Sequence, residues 1–295
     1  MHPQGLVGRL GVALGGGTAR GLAHVGALKA LEAAGTPPGA IAGTSCGAII
    51  AALYALGTPG VALEHFIREQ NTAEIWAQAL DFGLHKASLI HGERLARWLD
   101  RKVFFGATFA DAEIPLAIAC TDLASGRLVV LREGSIARAV RASCALPGIF
   151  TPVAWGDRTL VDGGFYEPVP FRALSALEPS AVIGVHAGID ADASLLVCLT
   201  RFFHRSPLGR AWQRLTSRLP LRWPPGQLLR GMALAVRSYD ELPDRPPGAL
   251  LVRVNPPLSW WDFQKSPQAI AAGEATMRAA LAGKEFPRRR KEYLD

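Results

Sequence analysis

The first 57 residues contain two consecutive units in which an apolar, strand-like run enters a glycine-containing turn and continues as a helix. In the first unit, the run Leu6–Leu14 is followed by three glycines and by apolar residues at helical spacing over Arg20–Ala34. In the second, the short run Ala40–Thr44 leads at once into an apolar helix over Cys46–Leu56, and a glycine ends each helix. Strands joined by helical crossovers lie parallel. The sequence therefore predicts an α/β fold with a mostly parallel sheet.

The rest of the chain adds strands and helices without a recognisable interdomain linker. Turns at 123–126 and 156–157 each separate two predicted strands. The predicted helices are Val61–Glu69, Glu93–Phe104, one capped by Ser135 that ends at Cys144, and Ala269–Leu281, and the predicted strands are Ile114–Thr121, Arg127–Arg132, Val153–Trp155, Thr159–Val161, Ala181–His186 and Leu250–Val254. We expect one α/β domain over residues 1–295, with an arginine-rich insert at about 191–245 before the last strand.

The composition argues against several classes of protein. Hydrophobic residues make up 49% and charged residues 19% of the chain, which is too apolar for a disordered protein. We expect no secretory signal and no membrane-spanning helix, because the longest apolar runs fall short of the roughly 20 residues that a bilayer requires. The four cysteines form no C-x-x-C pair, so we expect reduced thiols in a cytoplasmic protein, no metal site and no cofactor.

The turn of the second unit carries the first candidate for chemistry. Gly43-Thr44-Ser45-Cys46-Gly47 has the form G-x-S-x-G, in which a serine sits at a sharp turn between a strand and a helix. The serine backbone is strained there, and the two glycines let strand and helix pack closely. Ser45 is therefore the candidate nucleophile, although a turn of small residues that only packs a helix onto a strand has the same pattern.

The glycine loop of the first unit, Gly15–Gly21, also follows a strand and opens a helix. Such a loop points backbone N–H groups at an anion, either the oxyanion of an acyl-transfer intermediate or a nucleotide phosphate. A dinucleotide loop has the spacing G-x-G-x-x-G, and Thr18 and Arg20 occupy positions that must be glycine in that spacing. We therefore favour an oxyanion hole over a nucleotide site.

A serine hydrolase of the common type needs a histidine base later in the chain. None of the histidines that follow Ser45 stands in a suitable loop after a late strand; they are His65, His85, His91, His186 and His204. Another group must act as the base if Ser45 reacts.

Three blocks of sequence, taken together, resemble the patatin-like phospholipases, and closely the bacterial relatives of neuropathy target esterase. The blocks are Gly15–Gly26 (GGGTARGLAHVG), Gly43–Gly47 (GTSCG) and Asp162-Gly163-Gly164 (DGG). Weaker similarity covers nearly the whole chain except about 190–245. The resemblance implies a three-layer patatin-like α/β fold, with a mostly parallel central sheet flanked by helices. It also implies a Ser–Asp dyad without histidine, here Ser45 and Asp162, beside glycines that let their loop approach closely.

The same resemblance assigns the N–H groups of an oxyanion hole to Gly16, Gly17 and Thr18. The commoner form of the family has glycine where this chain has Thr18, whose Cβ disfavours a positive φ. If the position needs a left-handed backbone, the hole is strained or reshaped. The remaining motif residues support the turns and the loop; they are Arg20, Gly21, Gly43, Gly47, Gly163 and Gly164.

Positive charge is concentrated in one segment of a chain whose formal charge is +7. Residues 194–238 contain eight arginines, interleaved with aromatic residues, and no acidic residue. A peripheral contact of residues 195–237 with an anionic membrane fits this pattern, and so does a solvated helical face that covers the site. We expect no nucleic-acid partner, because no nucleic-acid-binding module is recognisable.

The motifs and the resemblance lead to one main hypothesis. The chain is expected to be a serine acyl hydrolase, a lipolytic esterase of the phospholipase A or lysophospholipase type, that acts on phospholipid or lysophospholipid. We expect it in the cytoplasm, peripheral to the inner face of the membrane. Two alternatives stay open, a catalytically silent lipid-surface adaptor and, less favoured, a nucleotide-binding protein.

Overall fold

A computed structural model describes residues 9–69, 82–85, 88–147, 149–187, 245–259 and 262–283, with single positions at 207, 211, 214 and 215. The arginine-rich insert predicted at about 191–245 lies outside these residues, apart from those four positions and Arg245. The insert, and with it the assignment of the whole chain to one domain, stays a prediction.

One mixed sheet organises the described part of the chain. The strands are β1 Leu10–Leu14, β2 Ala40–Gly43, β3 Phe82–His85, β4 Ser88–Ile90, β5 Leu116–Asp122, β6 Leu128–Leu131, β7 Val153–Trp155, β8 Arg158–Asp162, β9 Ala181–His186 and β10 Leu250–Arg253. Hydrogen-bonded neighbours in the sheet follow the order β10-β9-β1-β2-β5-β8-β7, and β6 also pairs with β5. The pairs from β10 to β5 are parallel, whereas β5 is antiparallel to β6 and β8, and β7 is antiparallel to β8. Strands β3 and β4 form a separate hairpin.

Seven α-helices of the described residues flank or extend this sheet. They are α1 Ala23–Ala33, α2 Cys46–Ala55, α3 Gly60–Glu69, α4 Glu93–Trp98, α5 Ile136–Ser143, α6 Phe171–Ser175 and α7 Ser266–Ala282. Short 3-10 turns lie at Thr18–Leu22, Phe109–Asp111, Gly163–Phe165 and Phe263–Lys265, and a π turn lies at Leu99–Val103. Across the ranges given above, no helix combines the length and the apolar character needed to cross a membrane.

The two faces of the sheet differ in the size of their side chains, since successive residues of a strand point to opposite faces. Val12 and Leu14 of β1 join the main core with α1, α2 and α5, whereas Ala13 between them joins a second core with α6. The second face needs small residues because α6 lies close to the strands: a Cβ on Gly184 would collide with the ring of Phe171. Helices thus cover both faces, and the predicted three-layer α/β architecture is confirmed.

Most predicted elements are confirmed to within a few residues, and the exceptions are short or irregular. The helix predicted over Glu93–Phe104 is α-helical only to Trp98 and continues as a π turn. The β3–β4 hairpin and the helix α6 were not predicted. Helix α6 is little more than one turn, too short to show a period, and it begins where Arg172 N–H donates to Glu167 Oε1 at 2.8 Å.

Candidate active site

Ser45 occupies the sharp turn between β2 and α2. Its backbone has φ 52° and ψ −124°, a conformation that costs a non-glycine residue roughly 1–2 kcal/mol. The turn is tied to the first unit, because Thr44 N–H donates to the carbonyl oxygen of Leu14 at 3.0 Å. Both motif glycines are needed for close approach: a Cβ on Gly47 would collide with the Leu14 carbonyl oxygen, and one on Gly43 would collide with helix α2. The predicted strand–turn–helix context of Ser45 is therefore present.

Asp162 ends β8 and is almost fully buried, with 3% of its surface exposed. Its Oδ1 accepts a hydrogen bond from Gly164 N–H at 2.8 Å, and its own N–H donates to the carbonyl oxygen of Ala145 at 3.0 Å. The adjacent glycine lets the chain turn against β5, since a Cβ on Gly163 would collide with the Ala119 carbonyl oxygen. The carboxyl is thus fixed in place by the backbone.

The register of β5 explains how Ser45 and Asp162 meet. Ile118 pairs with Gly43 of β2 and also with Leu131 of β6, while Cys120 pairs with Asp162 of β8 and also with β6. A strand has only two sides, so β2 and β8 both lie on the side of β5 opposite β6. They run in opposite directions, and their last residues face each other about 7 Å apart along β5. The sequence-predicted pair therefore converges at one point of the sheet.

The electrostatics of the pair are set by burial. Burial raises the pKa of Asp162 to about 6, and the nearby Ser45 hydroxyl and Gly164 N–H oppose this rise in pKa. The second carboxyl oxygen, Oδ2, accepts no hydrogen bond from the described residues, although the Ser45 hydroxyl lies close enough to the carboxyl to affect its pKa. Near neutral pH the Asp162 carboxyl is mostly ionised, and its Oδ2 is an unoccupied hydrogen-bond acceptor near the Ser45 hydroxyl. Such an arrangement can take a proton from the serine.

The three N–H groups predicted for the oxyanion hole differ in their hydrogen bonding. Gly16 N–H donates to the carbonyl oxygen of Pro168 at 3.0 Å, so it is already engaged. Gly17 N–H and Thr18 N–H have no partner among the described residues. Gly16 also lies next to the nucleophile candidate, since a Cβ there would be in ordinary van der Waals contact, 3.6 Å, with Cβ of Ser45.

Thr18 has a left-handed backbone, with φ 48°. This is the conformation for which the sequence predicts a strained or reshaped loop. A β-branched residue is a conformational outlier there. Its Oγ1 donates to the carbonyl oxygen of Gly17 at 2.8 Å, a local hydrogen bond that glycine in the same position lacks. The loop is therefore formed, at the cost of a strained residue.

Contacts from three sides hold the loop in place. Arg20 Nε donates to the carbonyl oxygen of Leu258 at 2.8 Å, which links the loop to the chain after β10. His24 is fully buried with Nε2 2.7 Å from the carbonyl oxygen of Gly15, and burial lowers the pKa of its imidazole to about 4. The neutral ring must carry its proton on Nε2 to make this bond. Gly21 packs against the thiol of Cys46, where any side chain would collide.

Two described histidines have partners away from the Ser45–Asp162 pair. His24 serves the glycine loop, and His65 lies on the exposed side of α3, where its Nε2 is 3.0 Å from Glu69. Within the described ranges there is also no group of three or more histidine, cysteine, aspartate or glutamate residues that could hold a metal ion.

Two residues near the pair were missed by the sequence analysis. Ser143 Oγ accepts the N–H of Ser45 at 2.9 Å and donates to the carbonyl oxygen of Ala119 at 2.7 Å. Cys144 is half-buried beside Ser45, and desolvation, followed by the charge of Asp162, raises the pKa of its thiol. Both belong to a stretch of the chain whose only signal in the sequence was weak family similarity, without any indication of a role.

Comparison with known proteins gives one family. The sequence model described as "Patatin-like phospholipase" matches residues 12–175. An uncharacterised NTE family protein of Mycobacterium tuberculosis is 34% identical over 293 residues, which cover 92% of this chain and 46% of the relative. "Lysophospholipase NTE1" of Coccidioides immitis is 33% identical over 185 residues, 62% of this chain and 12% of the relative. The chain spans about half the length of its mycobacterial relatives.

Among solved structures, VipD from Legionella pneumophila aligns with a TM-score of 0.43 and 13% identity, covering 94% of this chain and 67% of that chain. The family assignment does not depend on this distant similarity. It depends on the sequence match, which includes the glycine loop, the Ser45 turn and Asp162.

Proposed function

This chain belongs to the patatin-like phospholipase family, and from that premise we propose that it is a lipolytic serine acyl hydrolase with Ser45 as nucleophile and Asp162 as general base. One observation carries the proposal. The strands β2 and β8 end opposite each other beside β5, so that a strained serine and a buried carboxyl with a free oxygen adjoin. A structural turn has no need of a carboxyl buried in this way, because ionising it there costs free energy.

The proposed reaction begins when Ser45 Oγ attacks the carbonyl carbon of a carboxylic ester while Asp162 Oδ2 takes the hydroxyl proton. The ester carbonyl oxygen becomes an oxyanion, stabilised by Gly17 N–H and Thr18 N–H. The amino-terminal end of α2, directly after Ser45, adds a favourable dipole. Collapse of the intermediate breaks the bond to the alcohol, and the proton on Asp162 passes to that leaving oxygen. Ser45 then carries the acyl group.

Water completes the cycle in the same site. Asp162, again ionised, takes a proton from water as the water oxygen attacks the acyl carbon, and the proton then returns to Ser45 as the fatty acid leaves. A carboxylate with a pKa near 6 is a better base than an exposed aspartate and still mostly ionised at neutral pH. The dyad therefore needs no histidine.

For the substrate we propose a phospholipid or a lysophospholipid, and for the location the cytoplasm at the inner face of the membrane. The family description and the lysophospholipase among the relatives support the substrate class. Cys46, Cys120 and Cys144 are free thiols, which supports a reducing compartment. A peripheral membrane contact through residues 195–237 belongs to the same proposal, as does a single domain over residues 1–295.

Turnover of a short-chain p-nitrophenyl ester, followed by lipid analysis of a mixed extract, tests the proposal. Wild-type protein should release p-nitrophenol and remove a defined set of phospholipids or lysophospholipids, whereas Ser45→Ala and Asp162→Asn should do neither. A fluorophosphonate should label wild-type protein on Ser45. Lipid binding without turnover or labelling would favour the silent adaptor, and saturable nucleotide binding without labelling would favour the nucleotide-binding protein.

A further inference from the structure

The end of helix α5 and the residues just after it are hydrogen-bonded to the backbone of both residues of the proposed dyad. Ser143 is its last residue and is fully buried, with no exposed surface. Both hydrogen bonds of its hydroxyl leave the helix, one to the N–H of Ser45 and one to the carbonyl oxygen of Ala119. A buried helix serine often bonds back to its own helix. Here the hydroxyl instead joins the end of α5 to the turn between β2 and α2 and to β5.

The Ser45 N–H needs this partner for a physical reason. Ser45 stands before the first residue of α2 in a strained conformation, so its N–H belongs to neither the sheet ladder nor the helix. A buried N–H without an acceptor is unfavourable, and a strained backbone persists only where its surroundings fix it. Ser143 supplies the acceptor.

The same short segment also holds the other half of the dyad. Two residues after Ser143, the carbonyl oxygen of Ala145 accepts the N–H of Asp162 at 3.0 Å. The Ala119 carbonyl that accepts from Ser143 is also the one against which Gly163 packs. Residues 143–145 are therefore hydrogen-bonded to the backbone of both Ser45 and Asp162.

We propose that Ser143 is a positioning residue that sets the distance and angle between the Ser45 hydroxyl and the Asp162 carboxyl. The inference rests on the proposed function. Ser143 is not itself a reacting group, because its hydroxyl is committed to the backbone on both sides. Its contribution is to the rate of the chemical step, since a shift of about 1 Å in a reacting atom can cost on the order of 100-fold in rate.

The test compares Ser143→Ala, Ser143→Cys and Ser143→Thr with wild type in ester hydrolysis. Ser143→Ala should lower kcat by about 10- to 100-fold with KM within about threefold of wild type, and should slow fluorophosphonate labelling of Ser45 to a similar extent. Ser143→Cys keeps a weak donor and acceptor of similar size and should fall between alanine and wild type. Ser143→Thr keeps the hydroxyl and should recover most of the rate.

The matched control is Ser180→Ala, which also removes a hydroxyl that donates to a backbone carbonyl, that of Arg9 at 3.1 Å. Ser180 lies before β9, at the end of the sheet away from Ser45, and its variant should keep the wild-type kcat. Thermal unfolding of every variant separates loss of fold from loss of rate. A folded variant is then compared at a temperature at which it is fully native.

The outcomes separate this inference from the proposed function. If wild type is active, Ser45→Ala is inactive and a folded Ser143→Ala keeps the wild-type kcat and labelling rate, the inference is wrong and the proposed function stands. A rise in KM alone would also overturn it. If wild-type protein neither hydrolyses esters nor labels on Ser45, the proposed function fails and the inference fails with it. If only the alanine variant unfolds, the other two variants decide. A kcat that falls from wild type through Ser143→Thr to Ser143→Cys supports the inference, and an equal kcat in all three overturns it.

Discussion

The Nε2 atom of His24 lies 2.7 Å from the carbonyl oxygen of Gly15, so a buried imidazole on the first helix holds the start of the glycine loop. Burial lowers the pKa of the ring to about 4, which keeps it neutral and fixes its proton on Nε2. A protonated ring would be unfavourable in this position because no solvent reaches it. The support of the loop is therefore sensitive to acid.

This histidine predicts a pH dependence of stability. The folded-state pKa of His24 is below the unfolded value of 6.5, so the unfolded chain binds the extra proton, and stability is lost as pH falls from about 6.5 to about 4. The loss is about 3 kcal/mol in the free energy of unfolding. His24→Gln, which keeps an N–H donor and cannot titrate, should lack this component. Urea unfolding between pH 4 and 8 measures the difference in free energy of unfolding between variant and wild type. If His24 is not the cause, this difference should not change with pH.

The buried carboxyl of Asp162 predicts the opposite dependence of stability on pH, and it predicts that removing the charge stabilises the fold. Its pKa is raised from 3.8 to about 6, so the folded state favours the protonated form, and stability is lost as pH rises through about 6. At pH 8, Asp162→Asn should have a higher melting temperature than wild type, and its free energy of unfolding should be larger by up to about 3 kcal/mol. This difference in free energy should vanish near pH 4. Asp157→Asn, at an exposed turn position, is the control and should change neither value. A destabilised Asp162→Asn at pH 8 would contradict the cause we assign.

The same carboxyl predicts the pH profile of activity. The base form of Asp162 is the active one, so kcat/KM should rise with pH, level off above about 7 and fall tenfold for each unit below about 6. Steady-state hydrolysis of a neutral ester from pH 4.5 to 8.5 gives this profile directly. Asp162 would be excluded as the base if kcat/KM rose with an apparent pKa near 8, or if it were as high at pH 5 as at pH 7.

The strained backbone of Thr18 predicts that replacing this residue by glycine keeps or raises the activity. Thr18→Gly removes the strained side chain at φ 48° and keeps the N–H, so kcat should be within about threefold of wild type or higher. Thr18→Val keeps the strain and loses the hydroxyl bond to Gly17, and should be less stable than wild type by about 1 kcal/mol. Ester kinetics and urea unfolding of the two variants check this. A large loss of kcat in the glycine variant would show that the threonine hydroxyl itself takes part.

Gly47 predicts a steric effect on the Ser45 turn. A methyl group there would collide with the carbonyl oxygens of Leu14 and Gly15, so Gly47→Ala should destabilise the fold by about 1–3 kcal/mol and lower kcat. Gly283→Ala is the matched control at the end of α7, where the added Cβ would only reach 3.4 Å from the Ala280 carbonyl oxygen, and its effect should be below about 0.5 kcal/mol. Chemical denaturation of both variants provides the comparison.

The local parts of the site could be predicted from the sequence because their causes are local. The Ser45 turn follows from an apolar strand, a small-residue turn and an apolar helix that are contiguous in the chain. The hairpin that delivers Asp162 follows in the same way from Gly156-Asp157 between two β-rich runs. Helix α6 escaped prediction, since its start depends on the side chain of Glu167 rather than on a period.

Other features of the site depend on contacts between distant segments, which no local pattern encodes. Gly16 N–H is occupied only because the chain at Pro168 passes beside the loop. Ser143 acquires its partners only because α5 ends beside the Ser45 turn and β5. The raised pKa of Asp162 likewise requires that the surrounding helices exclude water.

The sequence alone determined the fold class, the glycine loop and the Ser45 turn, because periodicity and glycine placement act over a few residues, and its resemblance to a known family named Asp162 as the partner of Ser45. The tertiary structure alone decided that β8 lies on the same side of β5 as β2 and runs toward it, which brings Ser45 and Asp162 together. The physical reason is strand register: a shift of one residue along β5 would turn the Asp162 side chain to the other face of the sheet.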